Sequence, residues 1–174
     1  MSKDTVGIGH KTEFRLAKFK VPEGELRSKI ETDGFEAAVE ELAYEVDEWE
    51  GNIGLNEGLQ EMWTLTIGSG GTAYNNANAN IGVGDSSSTA DATQTGLIGA
   101  NAYEGMESGY PTSTDQTMAF KSVFGANVAN FEWKEFTVAN GDSNAAKNLF
   151  RKVHDRGEKY EGESWTMEIQ ITLE

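Results

Sequence analysis

The chain has 174 residues, enough to bury one sizeable core with an arm or a small second unit. Its 29 Asp and Glu against 14 Lys and Arg give a net charge of −15, which repels phosphate backbones and argues against nucleic acid as a partner. There is no cysteine, so disulfides and thiolate chemistry are excluded; no apolar run of about eighteen residues and no signal-peptide core occurs, so the chain is expected to be soluble when made, with no membrane partner.

Residues 1–29 hold seven Lys and Arg against four acids. Phe14, Leu16 and Lys18 alternate with Arg15, Ala17 and Phe19, and Pro22 then interrupts, which predicts an extended arm or edge strand too short to bury itself. Such a basic segment can fold back on an acidic part of its own chain or reach a neighbour. The second is expected, which makes Phe14, Arg15, Leu16, Lys18, Phe19 and Lys20 candidate partner-binding residues. On this reading the loss of residues 1–20 leaves the rest of the chain folded.

Residues 31–50 hold nine acids and no Lys or Arg. Asp33 can cap a helix with Glu36 three residues on, and Phe35, Val39, Leu42 and Val46 fall at helical spacing. The acids on the opposite face read as a solvated surface. Residues 1–50 are therefore taken as an N-terminal arm with an acidic amphipathic segment, and residues 51–174 as the main domain.

In that domain Leu55, Leu59, Met62 and Trp63 share one helical side and are expected in the core, with Gly68 as the stop. The stretch "GSGGTAYNNANAN" reads as a loop, because Gly and Asn tolerate positive φ. Its glycines lack the Gly-Lys-Ser/Thr ending of a phosphate-binding loop. From here the period becomes two: Met118, Phe120, Ser122 and Phe124 share a face, as do Trp165, Met167, Ile169 and Ile171. In "NFEWKEFTVAN" the apolar set moves from Phe131 and Trp133 to Phe136 and Val138, which predicts a bulge near Lys134 and Glu135, and "NGD" at residues 140–142 supplies a turn. Strands joined by polar loops predict a mainly β chain, an antiparallel, jelly-roll-like β-sandwich with an extended N-terminal arm and one or two short helices.

Groups that could carry chemistry are scattered. His10 and His154 lie near opposite ends of the chain, and Asp85 and Asp91 in "DSSSTAD" match no calcium-loop spacing, so neither a metal nor another cofactor is expected. Carboxylates abound, but abundance does not establish the paired geometry of an acid and a base, and no enzyme is expected. Trp63, Phe120, Phe124, Phe131, Trp133, Phe136 and Trp165 follow strand or helix periods and read as core; a soluble glycan-binding module, the alternative, would need such rings exposed.

Three stretches carry a resemblance: "ANIGVGDSSSTADATQTGL", "MAFKSVFGANVANFEWKEFTVANG" and "WTMEIQITL". Together they resemble a group of virion proteins of tailed bacteriophages, over roughly residues 70–174. The resemblance implies a non-enzymatic structural protein of the virion, assembled in the host cytoplasm. It implies a capsid decoration or cement protein that binds the major capsid protein and other copies of itself as a symmetric homo-oligomer such as a trimer, or else a tail or fibre component bound to tail proteins. In that light the small polar residues after Gly84 do structural work: Asp85 and the hydroxyls satisfy backbone groups, and the small side chains let neighbouring backbones approach.

Overall fold

A computed structural model describes residues 9–174. In chain order the elements are β1 (His10–Phe19), α1 (Glu23–Asp33), α2 (Phe35–Leu42), β2 (Ala43–Glu50), β3 (Ile53–Gly54), α3 (Asn56–Thr66), β4 (Asn80–Gly84), β5 (Asn101–Gly105), β6 (Thr112–Thr114), β7 (Thr117–Phe124), β8 (Glu135–Ala139), β9 (Phe150–Val153) and β10 (Ser164–Leu173). They form two five-stranded antiparallel sheets, β2-β1-β10-β7-β6 and β3-β9-β8-β4-β5. Phe14, Leu16, Phe120, Phe124, Trp165, Met167 and Ile169 of the first sheet meet Ile81, Val83, Phe136, Val138 and Phe150 of the second in one buried cluster, so the chain is a β-sandwich. Strand β10, the clearest alternating segment in the sequence, is the middle strand of its sheet.

The N-terminal segment is extended, but it is neither an arm nor an edge. β1 lies between β2 and β10 and pairs with both, from His10 opposite Leu173 to Phe19 opposite Ser164 on one side and from Glu13 opposite Glu50 on the other. A boundary at residue 50 therefore does not separate two units, since β1 and β2 supply two of the five strands of the first sheet. Phe14 and Leu16 face the second sheet, whereas Ala17 and Phe19 face outward and are covered by Leu26 of α1 and by Ala38 and Val39 of α2. Apolar residues on both faces of one strand are what an interior strand with two covers requires.

The acidic block is part helix and part strand. Asp33 ends α1 rather than capping the next helix; Gly34, at φ 91°, separates the two, donating to Ile30 O at 2.9 Å and accepting from Ala38 N at 3.1 Å. Helix α2 stops at Leu42, and Val46 continues in β2 because the backbone of β1 offers a full ladder there. Helix α1 had no counterpart in the sequence reading. The bulge falls on the partner strand: Glu135 pairs with Val153 but Glu132 bridges Glu158, so three steps on one side face five on the other. The surplus is the turn at Asp155, whose carboxylate accepts from Gly157 N at 2.9 Å. The "NGD" segment likewise opens into a wider loop, closed where Lys147 N donates to Asn140 Oδ1 at 2.8 Å.

Candidate functional site

Four of the six residues expected to bind a partner are used inside the fold. Phe14, Leu16 and Phe19 are core residues, and the Phe14 ring stacks on Trp49 at 5.2 Å and meets the edge of Phe150 at 5.7 Å. Lys18 is buried, donating to Glu45 at 2.6 Å and Arg156 O at 2.7 Å, with its ammonium 4.7 Å from the Trp165 ring. Arg15 lies on the outer face of the first sheet and holds Glu36 with two hydrogen bonds of 2.7 and 2.9 Å. Lys20 is exposed and sits over Tyr44 at 4.8 Å.

Charge complementarity thus acts within the chain. Arg15 pairs with Glu36 and Glu48, Lys18 with Glu45 and Asp47, Lys29 with Asp33 and Glu41, and Lys11 with Glu13 and Glu50. The basic segment has folded back on the acidic block instead of reaching outward. Removing residues 1–20 would delete an interior strand, so it would test folding and not docking. Beside Arg15 a shallow depression of about 470 Å³ is lined by Glu13, Glu48, Glu50, Glu168 and Gln170, an acidic surface in which the arginine is already paired.

The loop between β4 and β5 is built on a feature the sequence reading missed. Along β4, Ile81 and Val83 face the core opposite Val138 and Phe136, while Gly82 and Gly84 lie on the outer face opposite Thr137 and Glu135. Those glycines make room: a Cβ on Gly82 would stand 2.6 Å from a Tyr103 ring carbon, and one on Gly84 2.5 Å from a Glu135 carboxylate oxygen. Glu135 is fully buried there and accepts from Gly99 N at 2.7 Å, Ile98 N at 3.0 Å, Ser86 N at 3.3 Å and Arg151 Nε at 2.7 Å. Arg151, also fully buried, donates onward to Ser88 O at 2.8 Å and Gln94 Oε1 at 3.2 Å. Asn144 clasps Leu97 from the other side, accepting from its N at 3.0 Å and donating to its O at 2.8 Å. The polar loop is therefore fastened as a lid over the outer face of the second sheet. Its polar side chains act locally: Ser86 Oγ accepts from Ser88 N at 3.2 Å, and the carboxylate of Asp91, rather than that of Asp85, accepts from Thr93 N at 2.9 Å. The available sequence signal was a pair of charged residues set beside apolar ones in each of two stretches, "KEFTV" and "LFRKV".

The other titratable candidates lie apart. His10 is hydrogen-bonded to Asn52 at 2.9 Å; His154 packs at a tilt against Trp49, ring centroids 5.2 Å apart, where burial and then the charges of Arg156 and Lys152 lower its pKa. Among the described residues no group of three or more His, Asp or Glu side chains converges as a metal ion would require. Among the described residues Lys159 is buried without a carboxylate at its ammonium, which donates to Gly125 O and Asn130 Oδ1, both at 2.7 Å. In "GSGGT", Gly68, Gly70 and Gly71 all take positive φ, and the turn closes where Thr72 N donates to Glu61 at 2.6 Å.

Helix α3 departs from expectation in a way that creates a surface. Leu55 is buried and Met62 is partly so, but Trp63 is 61% exposed and Leu59 47% exposed. Leu59, Met62 and Trp63 form one bank of an apolar groove of about 540 Å³, with Ile171 and Leu173 of β10 also lining it and Phe150 buried beneath. Comparison with protein-family models, curated proteins and solved structures finds no match.

Proposed function

We propose that this chain is a non-enzymatic structural component of a tailed-phage virion, a capsid decoration or cement protein that binds the major capsid protein and other copies of itself. The observation that supports the reading is where the resemblance-bearing residues are used: residues 79–97, 118–141 and 165–173 build β4, β7, β8, β10 and the fastened loop. These stretches hold a rigid scaffold together, as expected of a protein that acts by shape and by the area it covers. Binding then belongs to the outer surfaces, not to an N-terminal arm.

The test is quantitative mass spectrometry of purified particles of a phage that encodes the chain. A copy number matching that of the capsid subunits is expected. The low number of a single ring would assign the chain to the tail instead, and its absence from washed particles would refute both virion readings.

A further inference from the structure

We infer that the outer edge of β2 is a docking surface for an extended basic segment of another polypeptide, which adds to the first sheet as a further strand. The inference does not depend on the virion reading and stands on this edge alone.

β2 is the outermost strand of its sheet, and its ladder to β1 shows which of its backbone groups are engaged. Gly51 N donates to Thr12 O at 2.9 Å, and the register continues without a shift to Glu45 opposite Lys18. In an antiparallel pair hydrogen-bonded and non-hydrogen-bonded partners alternate. Trp49, Asp47 and Glu45 therefore turn their N–H and C=O toward β1, while Glu50, Glu48 and Val46 turn theirs outward. Lys152 Nζ, reaching across from β9, takes the Glu50 carbonyl at 2.8 Å, which agrees with that parity. Val46 and Glu48 are left each presenting a donor and an acceptor along the outer edge, the pattern that an added strand completes.

Charge says which strand fits. The side chains of Glu48 and Glu50 stand on the outer face of the sheet, 73% and 68% exposed, at the acidic depression beside Arg15. The cations nearest to them are held more closely by other acids. Arg15 gives two hydrogen bonds to Glu36 and lies 3.7 Å from Glu48, and Lys11 holds Glu13 at 2.6 Å and lies 3.6 Å from Glu50. A second β2 laid along this edge would set glutamates near glutamates, so pairing of two copies here is opposed. A strand with Lys or Arg at two positions two apart sets both opposite Glu48 and Glu50 on one face. An apolar residue two further on then meets Val46, itself 43% exposed.

Amide hydrogen exchange of the full chain, with and without a peptide of about ten residues in which lysine and valine alternate, tests this. Without peptide the amides of Val46 and Glu48 should exchange fast, while those of Asp47 and Trp49 are protected by β1. At a peptide concentration about ten times Kd the two fast amides should slow about tenfold. Binding should weaken as NaCl rises from about 0.05 to about 0.5 M, over which the Debye length shrinks more than threefold. A peptide alternating lysine and proline carries the same charge but cannot complete a ladder, so it should leave both amides fast. Val46→Pro removes one outward donor and none that faces β1, and should weaken binding by about tenfold. Glu48→Lys, which keeps the test open should the proline variant fail to fold, should weaken it by about fivefold at the lower salt. Val46 and Glu48 amides already protected without peptide, as they would be under another segment or a second copy, overturn the inference. So does a lysine-valine peptide that leaves them fast, a lysine-proline peptide that slows them as much, or binding indifferent to both substitutions.

Discussion

Replacing Glu135 by alanine removes the acceptor on which the β4–β5 loop and Arg151 both converge. Glu135 and Arg151 have no solvent exposure, and the carboxylate accepts from the arginine at 2.7 Å. Taking away one member of a buried pair strands the other charge, a loss of about 3–5 kcal/mol. The N–H groups of Ile98 and Gly99 lose their acceptor as well, at about 1–3 kcal/mol each if water cannot replace it. Water can enter as the lid lifts, so the expected loss is about 4–6 kcal/mol, a large part of the roughly 5–15 kcal/mol typical of a whole domain. Arg151→Met should cost less, because Glu135 keeps its three backbone donors. Glu135→Gln keeps the shape and one acceptor oxygen but still strands the Arg151 charge and turns an amide NH2 toward donors, so it should fall between Arg151→Met and the alanine variant. Urea denaturation measures the order, and amide exchange across residues 86–99 measures whether the lid opens before the sandwich does. An alanine variant within about 1 kcal/mol of wild type, or loop amides as protected as before, would refute the claim that this pair fastens the loop.

Trp165→Ala should destabilise by about 3–5 kcal/mol in thermal or urea unfolding, because a fully packed ring leaves a cavity between Trp133, whose centroid lies at 4.9 Å, and Lys18. Gly58→Ala sets helix propensity, which favours alanine by about 1 kcal/mol, against a Cβ that would lie 2.4 Å from Asn148 O and 2.5 Å from Leu149 Cα. Backbone cannot yield cheaply, so net destabilisation is expected in urea melts, and a more stable variant would contradict the close approach. Burial pulls the Lys159 pKa down from 10.5 to about 8. Between those values the unfolded chain binds a proton that the folded chain has released, so stability should rise with pH across that window. Denaturation at stepped pH should show the rise in wild type and not in Lys159→Met; equal slopes would rule out the shift.

What the sequence determined by itself is what depends on period and turn chemistry. Alternation in residues 118–124 and 165–171 specified strands whose apolar faces build the core, because a pleated strand presents every second residue to one side whatever it pairs with. The broken alternation at residues 131–138 marked an irregular ladder, and the glycines and asparagines after residue 68 marked a loop. What only tertiary structure decided is which surfaces are covered and by what. β1 resembles a free arm until β10, more than 140 residues downstream, closes one side and β2 the other. The same ambiguity holds for the basic and acidic blocks, whose charges match equally well within a chain or between chains; pairing at short range within one fold carries no association entropy, and that alternative won. Helical spacing put Trp63 beside Leu55, but spacing fixes only the side of a helix and not the depth at which that side is buried, which the seating of α3 on the backbone of Asn148 and Leu149 sets instead. The loop after Gly84 depended on both: its small residues were legible, while Glu135 and Arg151, distant in sequence and uninformative singly, hold it only because β8 and β9 are neighbours.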